Sequence, residues 1–204
     1  MGHYKNLKEA LKNPDDCTVL KLSVKGARVT EDLTALPRLQ ELYLEGAALT
    51  ELPDVAALRT LRLFSLRAPA FRGSLAPLFH LARLENLKAI DTPLEPLLLP
   101  LGEALAPLRT LTLKNAGLRV LPLELGEYGS LEELYLPEND LAELPFTFGG
   151  LKALKRLNLD HNAFARFPDL LGGLPRLQHV SIDHNPFDED ERSRIQRQFH
   201  LTVQ

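Results

Sequence analysis

The chain has 204 residues, 45% of them hydrophobic and 25% charged, with a formal net charge of −3. That composition supplies a continuous apolar core, and it lacks the basic excess that marks nucleic acid or an anionic membrane as the main partner. The longest apolar runs, such as Leu97–Leu101, are far too short to span a bilayer, and the charged N-terminus MGHYKNLKEALKNPDD has no apolar stretch of the kind a secretory signal needs.

Residues 1–16 place Tyr4, Leu7, Ala10 and Leu11 at helical spacing, with Lys5, Lys8, Glu9 and Lys12 elsewhere around the helix and Pro14 ending it. This predicts an amphipathic capping helix. From Cys17 onward a unit of about 23 residues recurs. It is plainest where LEELYLPENDLAELPFTFGGLKA (from Leu131) is followed by LKRLNLDHNAFARFPDLLGGLPR (from Leu154). Leucines stand at positions 1, 4 and 6, Asn at 9, apolar residues at 11, 14, 18 and 21, and Pro at 15. The L-x-L part has period two and reads as a short strand with one apolar face. The chain must then turn, and an Asn at position 9 can satisfy backbone groups stranded inside.

Extended outward, the frame predicts repeat starts at Cys17, Leu39, Leu58, Leu84, Leu108, Leu131, Leu154 and Leu177, spaced 22, 19, 26, 24, 23, 23 and 23 residues. Asn fills position 9 only in the last three (Asn139, Asn162, Asn185). Lys25, Ala47, Leu66, Thr92 and Ala116 stand there in this frame earlier, so the Asn ladder is expected to break in the first five repeats. The tail FRGSLAPLFHLAR of repeat three, long enough for about two helical turns, and LEPLLLPLGEALAP of repeat four are expected to bulge outward. After residue 187, Asp188 reads as a helix N-cap with Glu189, Asp190 and Glu191 in the first turn, and Ile195 and Phe199 facing the core. The run DEDERSR reads as a solvated face. With a cap at each end, residues 17–187 are expected to form a complete repeat domain.

The spacing resembles the leucine-rich repeat, L-x-x-L-x-L-x-x-N-x-L. The resemblance implies an α/β fold: a right-handed leucine-rich-repeat solenoid, or horseshoe, with a parallel concave sheet, about eight repeats, a helical cap over 1–16 and another over 188–204. The phrase YKNLKEALKNPDDCTVLKLSVKG is similar to the opening of a group of bacterial intracellular repeat proteins. The closing phrase L-P-x-x-x-G-x-L, in Leu121–Gly126 and Leu144–Leu151, resembles the intracellular repeat proteins of bacteria and of the eukaryotic Ras-associated group. For function the resemblance implies protein recognition. The lone Cys17 falls on an inward position 1 and reads as a small buried core residue. A single cysteine is compatible with a reducing compartment, so a cytoplasmic protein is expected.

In such a solenoid the outward strand residues, at positions 3, 5 and 7, display function. With repeat three starting at Leu58, Phe64 and Ile90 occupy adjacent outward slots that do not require apolar residues. The expected partner-binding set is Glu41, Tyr43, Arg62, Phe64, Lys88, Ile90, Thr112, Lys114 and Tyr135, an aromatic and cationic centre with an acidic rim. Neighbouring rows lie about 4.8 Å apart, so the face is roughly 35 Å long, a length that suits a protein segment better than a small molecule. A non-catalytic scaffold with no cofactor is expected, monomeric and bound to a protein. The alternatives are a metal site at Asp160, His161, Asp183 and His184, and an exported effector acting on a host. Ser181 beside these residues has no strained nucleophile turn or oxyanion donors in its sequence context, and Gly149-Gly150 and Gly172-Gly173 read as repeat turns, so an enzyme is not expected.

Overall fold

In a computed structural model, which describes residues 2–30, 32–100 and 105–199, the L-x-L segments form short strands laid side by side. The described residues contain nine strands in one sheet: β1 (Gly2–Tyr4), β2 (Cys17–Ser23), β3 (Glu41–Glu45), β4 (Leu63–Arg67), β5 (Asn86–Ile90), β6 (Thr110–Lys114), β7 (Glu133–Tyr135), β8 (Arg156–Asn158) and β9 (His179–Ser181). They pair in chain order and every pair is parallel. Each strand is followed by a return segment. Five of these segments carry 3-10 turns, at Leu33–Ala35, Ala76–His80, Leu123–Glu127, Phe146–Gly150 and Asp169–Gly173. One repeat cannot bury its own leucines, but stacked repeats bury them in a single core running the length of the solenoid.

Several expectations are corrected. Residues 1–16 are not simply a helix. Gly2–Tyr4 forms a strand on the open edge of β2, and the helix α1 is only Leu7–Ala10, with Asn6 accepting the Lys8 N–H at 2.9 Å. An unpaired parallel edge presents a row of free backbone groups, and β1 satisfies them. Leu7 and Ala10 are buried as expected, with Tyr4 and Leu11 packed beside them.

Repeat three begins at Leu61, not Leu58. The strand registers Glu41↔Leu63, Tyr43↔Ser65 and Glu45↔Arg67 put Leu61, Phe64 and Leu66 at positions 1, 4 and 6, and all three are fully buried. Leu58-Leu61-Leu63 carries the same leucine spacing, so the strand alone could take either frame. The sheet register decides for the later start, which places Phe71 in the core at position 11 and makes the repeats almost equal in length. Pro69, not Leu66, then holds position 9, and the tail of repeat three forms the single 3-10 turn Ala76–His80 instead of two helical turns. The expected bulge of repeat four falls partly on residues 101–104, outside the described residues.

The C-terminal helix α2 spans Glu189–Phe199, and Asp188 accepts the Glu191 N–H at 2.8 Å. Ile195 is buried and Phe199 packs on Phe167, with ring centroids 4.4 Å apart. DEDERSR is not wholly solvated. Glu191 is buried, accepting from the Phe167 N–H at 2.8 Å and from the Arg194 guanidinium at 2.6 and 2.8 Å, which holds its carboxyl below the usual carboxylate range.

Inside the turns, Asn139 Oδ1 accepts from the N–H groups of Ala116 and Leu118, and its amide NH2 reaches the carbonyls of Leu113, Leu136 and Pro137. Asn162 and Asn185 repeat the arrangement. In repeat four the buried Thr92 substitutes, its hydroxyl accepting from the Ala68 N–H and donating to the Ile90 carbonyl. The preceding position 8 is left-handed in the last five repeats, with φ between 49° and 59° at Asp91, Asn115, Glu138, His161 and His184.

Candidate functional site: the strand face

The sheet register fixes which side chains share the outward face. Position 3 presents Glu41, Leu63, Asn86, Thr110, Glu133, Arg156 and His179, and position 5 presents Tyr43, Ser65, Lys88, Thr112, Tyr135, Asn158 and Ser181. At position 7, Arg67, Ile90 and Lys114 stand in successive strands. Of the expected set, Glu41, Tyr43, Lys88, Ile90, Thr112, Lys114 and Tyr135 lie on this face, half-buried among their neighbours. Phe64 does not: it is 0% exposed, a core residue on the opposite side of β4. Arg62 precedes β4 and pairs with Glu85 at 3.2 Å, outside the outward columns. Leu63, Ser65 and Arg67 take the places assigned to repeat three. The near-equal spacing they produce was the signal in the sequence that could have found them.

Most charges on the face are held across rows. Arg67 pairs with Asp91 at 2.7 Å, and Lys114 with Glu138 at 2.9 Å. Asp91 also accepts from the Asn115 amide at 2.8 Å, and that bond with the nearby cations lowers its carboxyl pKa. Tyr43 and Tyr135 donate to Glu41 and Glu133 of their own strands, and partial burial together with these carboxylates raises both phenol pKa values. Lys21 lies 4.8 Å from the centroid of the Tyr43 ring, a cation–π contact. Lys88 has no ion-pair partner among the described residues.

The small Ser65 between Tyr43 and Lys88 opens a hollow. The groove there measures about 460 Å³, walled by Tyr43, Glu45 and Ile90 and rimmed by Lys5, Lys21 and Arg67. Sequence reasoning missed Lys5, which comes from the segment between β1 and α1.

The C-terminal rows are arranged differently. His161 and His184 stack with ring centroids 4.2 Å apart and planes 12° from parallel. An imidazole binds a metal in its own ring plane, so near-parallel rings cannot converge on one ion. Asp160 is engaged by the Ser181 hydroxyl, the Asp183 N–H and the Asn158 amide. Among the described residues no group of three or more His, Cys, Asp or Glu is placed to hold a metal ion. The metal alternative at Asp160, His161, Asp183 and His184 therefore has no support in the geometry. No helix among the described residues is long and apolar enough to cross a membrane. Cys17 is buried as expected, and burial raises its thiol pKa.

Residues 129–187 match the family described as "Leucine rich repeat". No curated protein matches the sequence. Among solved structures, the leucine-rich repeat domain of the type III effector XopL is 24% identical with a TM-score of 0.70, covering 87% of this chain and 63% of its own. The ectodomain of the Arabidopsis thaliana membrane receptor kinase GASSHO1/SCHENGEN3, solved in complex with CASPARIAN STRIP INTEGRITY FACTOR 2, is 23% identical with a TM-score of 0.57 over 82% of this chain and 20% of its own. An internalin from Listeria monocytogenes is 18% identical with a TM-score of 0.49, covering 87% of this chain and 57% of its own. This chain thus spans less than two thirds of the length of each of these three. Strands in chain order, leucines turned inward, an Asn ladder in the last three repeats, the family match over residues 129–187 and the likeness to the XopL domain lead to one conclusion: the chain has the leucine-rich repeat fold.

Proposed function

We propose that the protein is a non-catalytic interaction module that holds a protein partner on the N-terminal half of its strand face. Leucine-rich repeat solenoids serve as interaction surfaces, and the extended face of a solenoid is where such proteins bind. The observation that carries the placement is the groove at Ser65, where Ile90 and the Tyr43 ring offer apolar contact beneath Lys5, Lys21 and Arg67. Apolar anchors with charged edges are how interface centres are built. The complementary ligand is an extended segment with an apolar side chain beside one or more carboxylates. The buried lone Cys17 supports a reducing, cytoplasmic setting as part of the same proposal.

A library of random peptides displayed on phage tests this. Selected peptides are expected to share an Asp or Glu next to an apolar residue, and to lose binding at least tenfold, about 1.4 kcal/mol, to Ile90→Glu and to Lys21→Glu. Lys21 is exposed and Ile90 half-buried on the strand face, and circular dichroism of each variant checks that the fold is kept. Peptides that bind these variants as tightly as the unaltered protein would place the site elsewhere.

A further inference from the structure

The convex side carries a second surface. Val120, Leu123 and Phe146 are 62%, 49% and 81% exposed, and they lie in adjacent repeats five and six around a hollow shared with Pro122, Glu143 and Pro145. Leu123 and Phe146 hold the same position, 16, of their repeats. Repeats one, two and seven fill the slot with Asp32, Asp54 and Asp169, so the fold does not require an apolar residue there, while Leu99 of repeat four holds it packed against the core. The two segments are locked together. Thr147 donates to the Leu123 carbonyl at 2.6 Å, and a Cβ on Gly126 would meet the Thr147 carbonyl oxygen at 2.2 Å. The patch is therefore a preformed surface and loses little freedom on docking.

The charges around it say what fits. Arg119 and Glu143 flank the patch one position apart in repeats five and six. Glu95 and Arg166 repeat that offset in repeats four and seven with the signs exchanged, and all four are exposed. A twofold axis running across the solenoid between repeats five and six brings repeat five of one copy against repeat six of the other, and four against seven. Leu123 then faces Phe146, Arg119 comes within one position of Glu143, and Glu95, whose carboxylate also accepts the Arg119 N–H of its own chain at 3.0 Å, comes within one position of Arg166, each pair occurring twice. A surface that complements itself under a twofold is what an isologous dimer requires.

We propose that this convex face is a dimer interface, taken by a second copy of the chain in antiparallel orientation, leaving both strand faces free. The apolar centre is small, so the dimer is weak, with a dissociation constant on the order of tens of micromolar.

Sedimentation equilibrium of the full chain from about 1 µM to about 1 mM tests it. The unaltered protein is expected to pass from monomer to dimer, and Ile90→Glu on the strand face to do the same. Phe146→Asp is expected to stay monomeric, with its circular dichroism unchanged because the side chain is in solvent. Arg119→Glu and Glu143→Arg alone each weaken the dimer about tenfold or more, since each change counts twice, and the two combined in one chain restore it. A protein that stays monomeric across the range, a Phe146→Asp variant that dimerises normally, or a combined charge exchange that fails to rescue would each overturn the proposal.

Discussion

Asn139→Ala removes the most heavily bonded side chain in the turns. Its amide oxygen serves two buried N–H groups, Ala116 at 3.0 Å and Leu118 at 3.1 Å, whereas Asn162 serves one, Leu141. The difference arises because repeat five has Ala116 at position 9 and depends on its neighbour for internal hydrogen bonding. Each buried donor left unsatisfied costs roughly 1–3 kcal/mol. Losing two, with three carbonyls losing a donor as well, gives a destabilisation of about 4 kcal/mol for Asn139→Ala and about 2–3 kcal/mol for Asn162→Ala. Urea unfolding followed by far-ultraviolet circular dichroism gives both values, with the midpoint moving and the slope unchanged. A cost below about 1 kcal/mol for Asn139→Ala, or one no larger than for Asn162→Ala, would refute the idea that Asn139 makes up for the Asn that repeat five lacks.

Phe64→Ala is expected to cost about 3–5 kcal/mol, the penalty of a fully buried aromatic, while Arg62→Ala changes urea stability by less than about 1 kcal/mol. Equal small effects would return repeat three to a start at Leu58. Tyr128 packs edge-on against Phe79, and its buried hydroxyl has no hydrogen-bond partner among the described residues; Tyr128→Phe is expected to raise stability by about 1 kcal/mol in the same assay, and a loss of that size would mean the hydroxyl is satisfied. Glu191 has a lowered pKa because Arg194 and the Phe167 N–H favour its charged form. The stability it contributes is therefore complete above the ordinary glutamate pKa and lost as pH falls through the lower folded value. Between pH about 5 and about 3 the urea midpoint of Glu191→Gln should fall less than that of the unaltered protein; parallel declines would remove Glu191 as a source of acid sensitivity.

The fold was legible in the sequence because a solenoid repeats its instructions. Leu131, Leu134 and Leu136 and then Leu154, Leu157 and Leu159 state the strand twice, and Asn139 and Asn162 state the turn. Where repeats lose their Asn, only leucine spacing remained, and spacing alone is degenerate: Leu58-Leu61-Leu63 and Leu61-Phe64-Leu66 fit the same template. Periodicity also cannot reveal edge demand. Gly2–Tyr4 is a strand because β2 needed a partner, and its sequence does not resemble the repeats. The left-handed position 8 was hidden for another reason. Glycine would have advertised it, but Glu138, His161 and His184 occupy it against their preference, the first two held by backbone N–H bonds to the next repeat, Glu138 to the Asp160 carbonyl and His161 to the Asp183 carbonyl.

The binding groove is a by-product of how repeat three fills its core. Three residues of frame decide whether Phe64 meets solvent and which side chain stands between Tyr43 and Lys88. Had repeat three begun at Leu58, Arg62 would stand between Tyr43 and Lys88 and fill the space that Ser65 leaves open, with Phe64 as an apolar knob beside it. The observed frame buries Phe64 with Phe71 and turns a small hydroxyl outward. The face therefore offers a hollow instead of a protruding side chain, which is what the proposed function requires, and the cations around it belong to Lys5, Lys21 and Arg67. Core packing, which selects the frame, sets the chemistry of the surface, so substitutions at Leu61 or Phe64 should disturb the proposed recognition even though neither lines the groove.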